Sequence, residues 1–183
     1  MKKLNLITIM MALLVLSACK DDDNDVENPE PTNEEELITT VTLHFHEEGN
    51  MSNHVMASFK DIDGPGGNAA TIDTIKLDTN TTYNVTIDLL NESETPTEVI
   101  TEEVKEEASE HLFCYEAAST NLSVTITDTD GTFPLGIEST WQTTNADAST
   151  ILLTLKHQPD GEKDGTCAPG ETDVEVNFPV VIM

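Results

Sequence analysis

From Leu37 to Ile182 the chain keeps repeating one pattern: a short run in which apolar and polar side chains alternate, followed by a cluster of Gly, Asn, Asp or Pro. Alternation with a period of two is what a half-buried strand requires, and it leaves little room for helix. Over 37–46, Leu37, Val41, Leu43 and Phe45 face one way and Thr40, Thr42, His44 and His46 the other. Val55, Ala57 and Phe59 alternate in the same way with His54, Met56, Ser58 and Lys60. Further runs follow at 70–77, 82–90, 111–117, 121–127, 137–144, 150–157 and 173–182, rich in the Thr and Val that pleated surfaces favour. This spacing predicts an all-β, antiparallel β-sandwich, immunoglobulin-like or a Greek-key relative, with Trp141 as the sole tryptophan for its core.

One stretch departs from the alternation. Thr95 is placed as an N-cap, Pro96 at the first helical position and Glu98 where a capping box needs it. Ile100, Val104 and Ala108 then recur on one side, with Glu102, Glu103, Glu106 and Glu107 on the other. A short amphipathic helix at the edge or end of the sandwich is expected, its glutamates solvated.

Ahead of the domain the chain is of another kind. Lys2 and Lys3 precede an apolar run, Leu4 to Leu16, and then Ser17-Ala18-Cys19. This resembles a bacterial signal peptide ending in a lipobox, which implies that residues 1–18 are removed and Cys19 is acylated. Two or more acyl chains hold a protein where one would release it, so the anchor is lipid. Lys20-Asp21-Asp22-Asp23 resembles the surface-export signal of Bacteroidota lipoproteins, which implies an outer-membrane protein at the cell surface; a periplasm-facing anchor is the other possibility. Residues 19–36 read as an acylated cysteine with an acidic, proline-interrupted tether, and residues 37–183 as the single domain.

Cleavage would leave six lysines against 35 acids and no arginine, a formal charge of −29. Nucleic acid is excluded as a partner, because a basic face is missing. Cations are the natural counter-species.

The order Thr40-Val41-Thr42-Leu43, Asp61-Ile62-Asp63-Gly64 with Gly66-Gly67-Asn68-Ala69, Asn80-Thr81-Thr82-Tyr83, Leu90-Asn91-Glu92, Glu110-His111, Asp128-Thr129-Asp130-Gly131, Lys156-His157-Gln158-Pro159 and Gly170-Glu171-Thr172-Asp173 resembles, over essentially the full length, a family of Bacteroidota lipoproteins often labelled "type 1 periplasmic binding fold superfamily". The resemblance implies an exported lipoprotein and no particular activity. The label describes a longer two-lobed α/β chain, whose alternating strands and helices are missing here.

Four groups of residues are candidate sites. With Cys19 lipidated, Cys114 and Cys167 remain in an oxidising compartment, where a disulfide is expected; free thiols or thiolate metal ligands are the alternatives. If strands 37–46 and 52–60 form a hairpin with their apolar residues on one side, His44, His46, His54 and Met56 share the outer face, with Glu47 or Glu48 to complete a Zn or Cu shell. The alternative is an exposed polar face. His111 and His157 are candidate paired ligands or donors beside Glu110 and Asp160, or structural hydrogen-bond partners. Asp61, Asp63 and Asn68, and separately Asp128 and Asp130, offer oxygens that suit Ca²⁺, although Asp-Gly equally serves a turn. No nucleophile elbow, phosphate loop or His-Glu-x-x-His is present, so no enzyme is expected. The expected function is non-enzymatic: a ligand-binding or accessory module for metal or nutrient uptake, working with a TonB-dependent receptor. A structural or adhesive immunoglobulin-like module is the alternative.

Overall fold

The computed structural model describes residues 36–50, 52–64 and 66–183. The signal segment, Cys19 and the tether up to residue 35 lie outside the described residues. Ten strands and one helix follow in chain order: β1 (Thr40–Glu47), β2 (His54–Lys60), β3 (Thr71–Ile72), β4 (Ile75–Leu77), β5 (Thr82–Leu90), α1 (Ile100–Glu106), β6 (His111–Ala117), β7 (Leu122–Ile126), β8 (Glu138–Thr143), β9 (Asp147–His157) and β10 (Glu171–Ile182). They form two packed sheets, one of six strands in the order β3-β2-β1-β5-β8-β7 and one of four in the order β4-β10-β9-β6. The fold is an all-β sandwich, as the alternation predicts. No helix among the described residues is long and apolar enough to cross a membrane.

The core lies between the sheets and takes one residue in two from each strand. Val41, Leu43 and Phe45 of β1 are fully buried, as are Val85, Ile87 and Leu89 of β5 and Ile151, Leu153 and Leu155 of β9. Each such side chain contributes roughly 1.5–3 kcal/mol on leaving water. Trp141 sits at the centre, edge-to-face with Phe45 at 5.1 Å and with Tyr115 of the opposite sheet at 5.9 Å.

Three local expectations are corrected. Run 70–77 divides into β3 and β4, which belong to different sheets, and β4 pairs parallel with β10. Leu37 is 55% exposed and Ile38 turns inward instead, because the strand alternation begins only at Thr40. The helix starts at Ile100 with Val99 in the cap position and no side-chain cap. Thr95 and Pro96 do not cap it, because the Glu98 and Asn91 backbones pair with each other in both directions at 3.1 Å and hold the preceding loop outside the helix. Ile100 and Val104 do bury the apolar side of α1.

Candidate functional site at the end of the small sheet

β6 and β9 pair so that His111 lies directly opposite His157. Both histidines extend rows of inward side chains, His111 ahead of Phe113 and Tyr115, His157 after Ile151, Leu153 and Leu155. Both are therefore buried, with their rings stacked 4.8 Å apart. The third member comes from β10, where the pairing with β9 shifts between Thr172 and Val174. Asp173 is the extra residue of this bulge. A bulge turns two successive side chains towards one face, so Asp173 points inward with Val174. Gly170 lets the chain return into β10: its φ is +79°, and a Cβ there would collide with the His157 carbonyl oxygen.

Asp173 Oδ2 lies 3.7 Å from His111 Nε2, and Asp173 Oδ1 lies 4.0 Å from His157 Nδ1. On the far side of each ring is another acceptor: Glu107 O, 3.2 Å from His111 Nδ1, and Glu110 Oε2, 3.9 Å from His157 Nε2. One ligand atom from each of His111, His157 and Asp173 lies within 4.8 Å of the others, and this is the one such group of three among the described residues. Above Asp173 a cleft of about 390 Å³ opens, lined by Glu36, Asp61 and Glu175 together with Leu37, Ile38 and Phe59. No protein-family model, curated protein or solved structure matches this chain.

The connection from 158 to 170 braces the site. Gln158 is buried and donates from Nε2 to Thr166 O and Pro169 O at 2.9 and 3.0 Å. Lys163 is also buried, and its Nζ reaches Ala108 O at 2.6 Å and Asp130 at 2.9 Å. Cys167 is joined by a disulfide to Cys114 of β6, with the Cα atoms 6.1 Å apart. The cysteines are therefore neither thiols nor metal ligands.

The remaining candidates are differently placed. His44 is opposite Met56 and His46 opposite His54, all on the outer face, with His54 stacked on His46 at 4.3 Å and on His44 at 5.6 Å. Among the described residues these histidines fall in no group of three converging ligand atoms; His44 Nε2 is bonded to Asp88 at 2.9 Å, and Met56 is 53% exposed. Glu47 accepts from Asn50 and Asn53 and closes the hairpin turn. Asp63 accepts from both the backbone and side-chain nitrogens of Asn68, and these bonds hold its carboxyl below the usual range. Asp128 accepts from Gly136 N and Glu138 N, and Asp130 from Thr132 N and Phe133 N. These oxygens make turns, and none of them belongs to a group of three His, Cys, Asp or Glu ligand atoms among the described residues. Asp160, expected beside the paired histidines, is exposed in a turn at φ +56°, and Asp173 takes its place.

Burial pushes the His111 pKa down to about 4, helped by His157 and Lys163 and opposed by the bond to Glu107. Burial and then the neighbouring Glu103 push Glu36 up to about 7. The two act on stability with opposite sign. As pH falls from 6.5 towards 4, the unfolded chain takes up a proton that folded His111 refuses, so stability is lost, by at most about 3 kcal/mol. As pH rises from 4.5 to 7, unfolded Glu36 releases a proton that the folded carboxyl keeps, so stability is also lost; the group is half-buried and its effect is smaller. Glu36→Gln should therefore raise stability above pH 7 and steepen the loss on acidification. Urea denaturation with chelator at a series of pH values checks this, and parallel curves for the two proteins would contradict it.

Proposed function

We propose that this chain is an exported lipoprotein, anchored through Cys19 in the outer membrane at the cell surface, that captures a cationic ligand without chemistry and hands it to an outer-membrane receptor of the TonB-dependent type. The observation that carries the reading is Asp173, which belongs both to the buried histidine pair and to the lining of a cleft bearing Glu36, Asp61 and Glu175. A depression lined by four carboxylates on a strongly acidic chain concentrates cations. The raised pKa of Glu36 fits this reading, because burial and then the neighbouring carboxyls keep its proton until a cation replaces it. The lipobox-like Leu16-Ser17-Ala18-Cys19 and the acidic residues behind it supply the address. The buried histidine pair beside Asp173 favours capture over a purely adhesive module.

Equilibrium dialysis of the mature chain (residues 19–183, with Cys19→Ser to keep it lipid-free) against Zn²⁺, Ca²⁺ and trilysine tests the capture. Saturable uptake of at least one of them, weakened by Glu36→Gln with Asp61→Asn, is the expected result. Uptake of none would sink the reading.

A further inference from the structure

We infer that His111, His157 and Asp173 form a binding site for one divalent transition-metal ion of the zinc class. This deepens the capture reading and rests on it only in treating the cleft as the way in.

His111 is the informative residue. Its ring is fully buried, and Nδ1 faces the Glu107 carbonyl oxygen, which can only accept. The proton is therefore on Nδ1, and in the neutral ring Nε2 carries a lone pair. That lone pair has no hydrogen-bond donor; what it faces, at 3.7 Å, is a carboxylate oxygen of Asp173. Two electron-rich atoms turned towards each other in a buried place repel unless a proton or a metal cation lies between them, and 3.7 Å is too long for a proton bridge. Among the described residues Lys163 is a nearby cation, and its ammonium is committed to Asp130 and Ala108 O. His157 repeats the geometry, with Nδ1 towards Asp173 and Nε2 towards the Glu110 carboxylate. Metal-binding imidazoles are oriented in this way, one nitrogen on the ion and the other held by a carbonyl or carboxylate.

The donor set selects the ion. Two imidazole nitrogens and one carboxylate suit zinc and its neighbours, and are too few oxygens for calcium. Cu(I) would want sulfur, and the cysteines of this end are spent in their disulfide. Around a tetrahedral zinc the donors stand about 3.4 Å apart. The 3.7 and 4.0 Å separations run to the two different oxygens of Asp173, and a set with one atom from each residue lies within 4.8 Å, which small side-chain rotations would close. Three protein ligands leave a fourth position for water.

The test uses the same lipid-free mature chain with Zn²⁺ and, as a spectroscopic probe, Co²⁺. Calorimetry should show one zinc per chain, and cobalt should give the intense visible bands of a four-coordinate site, erased by zinc. Asp173→Asn, nearly identical in shape, and His157→Gln should each weaken zinc by more than about 100-fold. His44→Ala with His54→Ala should leave affinity within about twofold. In the wild-type chain, zinc should shift the ring-nitrogen resonances of His111 and His157, which reads the site even if a variant fails to fold. No zinc uptake, unmoved resonances, or a site lost with His44 and His54 would overturn the inference. If these residues fail to bind zinc while Glu36→Gln with Asp61→Asn still weakens trilysine uptake, the metal site falls and the capture reading stands. Zinc bound equally by the cleft variants would keep the metal site and remove the cleft as its mouth.

Discussion

Replacing Cys114 and Cys167 together by serine is expected to lower the melting temperature of the mature chain by roughly 10 °C. The bridge closes a loop with a sequence separation of 53, for which lost chain entropy in the unfolded state amounts to about 4 kcal/mol. It also joins the outer side of β6 to the connection that leads through Gly170 into Asp173. Loss of the bridge should therefore loosen the acid before the rest of the sandwich, and zinc affinity should fall in the serine variant even where it is fully folded. Calorimetric melting of the two proteins side by side checks the first part. A melting temperature within about two degrees of wild type would show that Gln158 and Lys163 hold the connection unaided.

Trp141→Ala should cost about 4 kcal/mol, a loss of the same size reached by a different route. The indole is fully buried between Phe45 and Tyr115, so it fills the space where the two sheets meet. Its Nε1 donates to Ser139 Oγ at 2.9 Å, and alanine leaves that buried hydroxyl without its donor as well as leaving a cavity. Denaturation followed by circular dichroism measures the loss. A cost below about 1 kcal/mol would mean that the sheets close over the gap.

Much of the fold is legible in the sequence because strand alternation is a local property. The parity of the β1–β2 hairpin follows from where Leu43, Phe45, Val55 and Ala57 must go, and that alone puts His44, His46, His54 and Met56 on one face. Their proximity did not make them a converging ligand set, since the pattern cannot foresee that Asp88 binds His44. The buried site was half legible. His157 continues the row Ile151, Leu153, Leu155, and a histidine in a core row is a signal readable from sequence. Asp173 gives no such signal. By the alternation of Val174, Val176 and Phe178 it belongs on the outer face, and only the bulge after Thr172 brings it in. The false start of α1 has a similar cause: Thr95-Pro96-Thr97-Glu98 satisfies the local rules for a cap, but pairing of Glu98 with Asn91 overrides them.

The central claim is that the two imidazoles and the bulged carboxylate under the acidic cleft hold a metal, and the most direct measurement is anomalous diffraction at the zinc edge from crystals of the mature chain grown with zinc. The expected result is one strong peak within bonding distance of His111 Nε2, His157 Nδ1 and an Asp173 carboxylate oxygen. A map with no peak there, or with zinc only on the outer face beside His46 and His54, would contradict it.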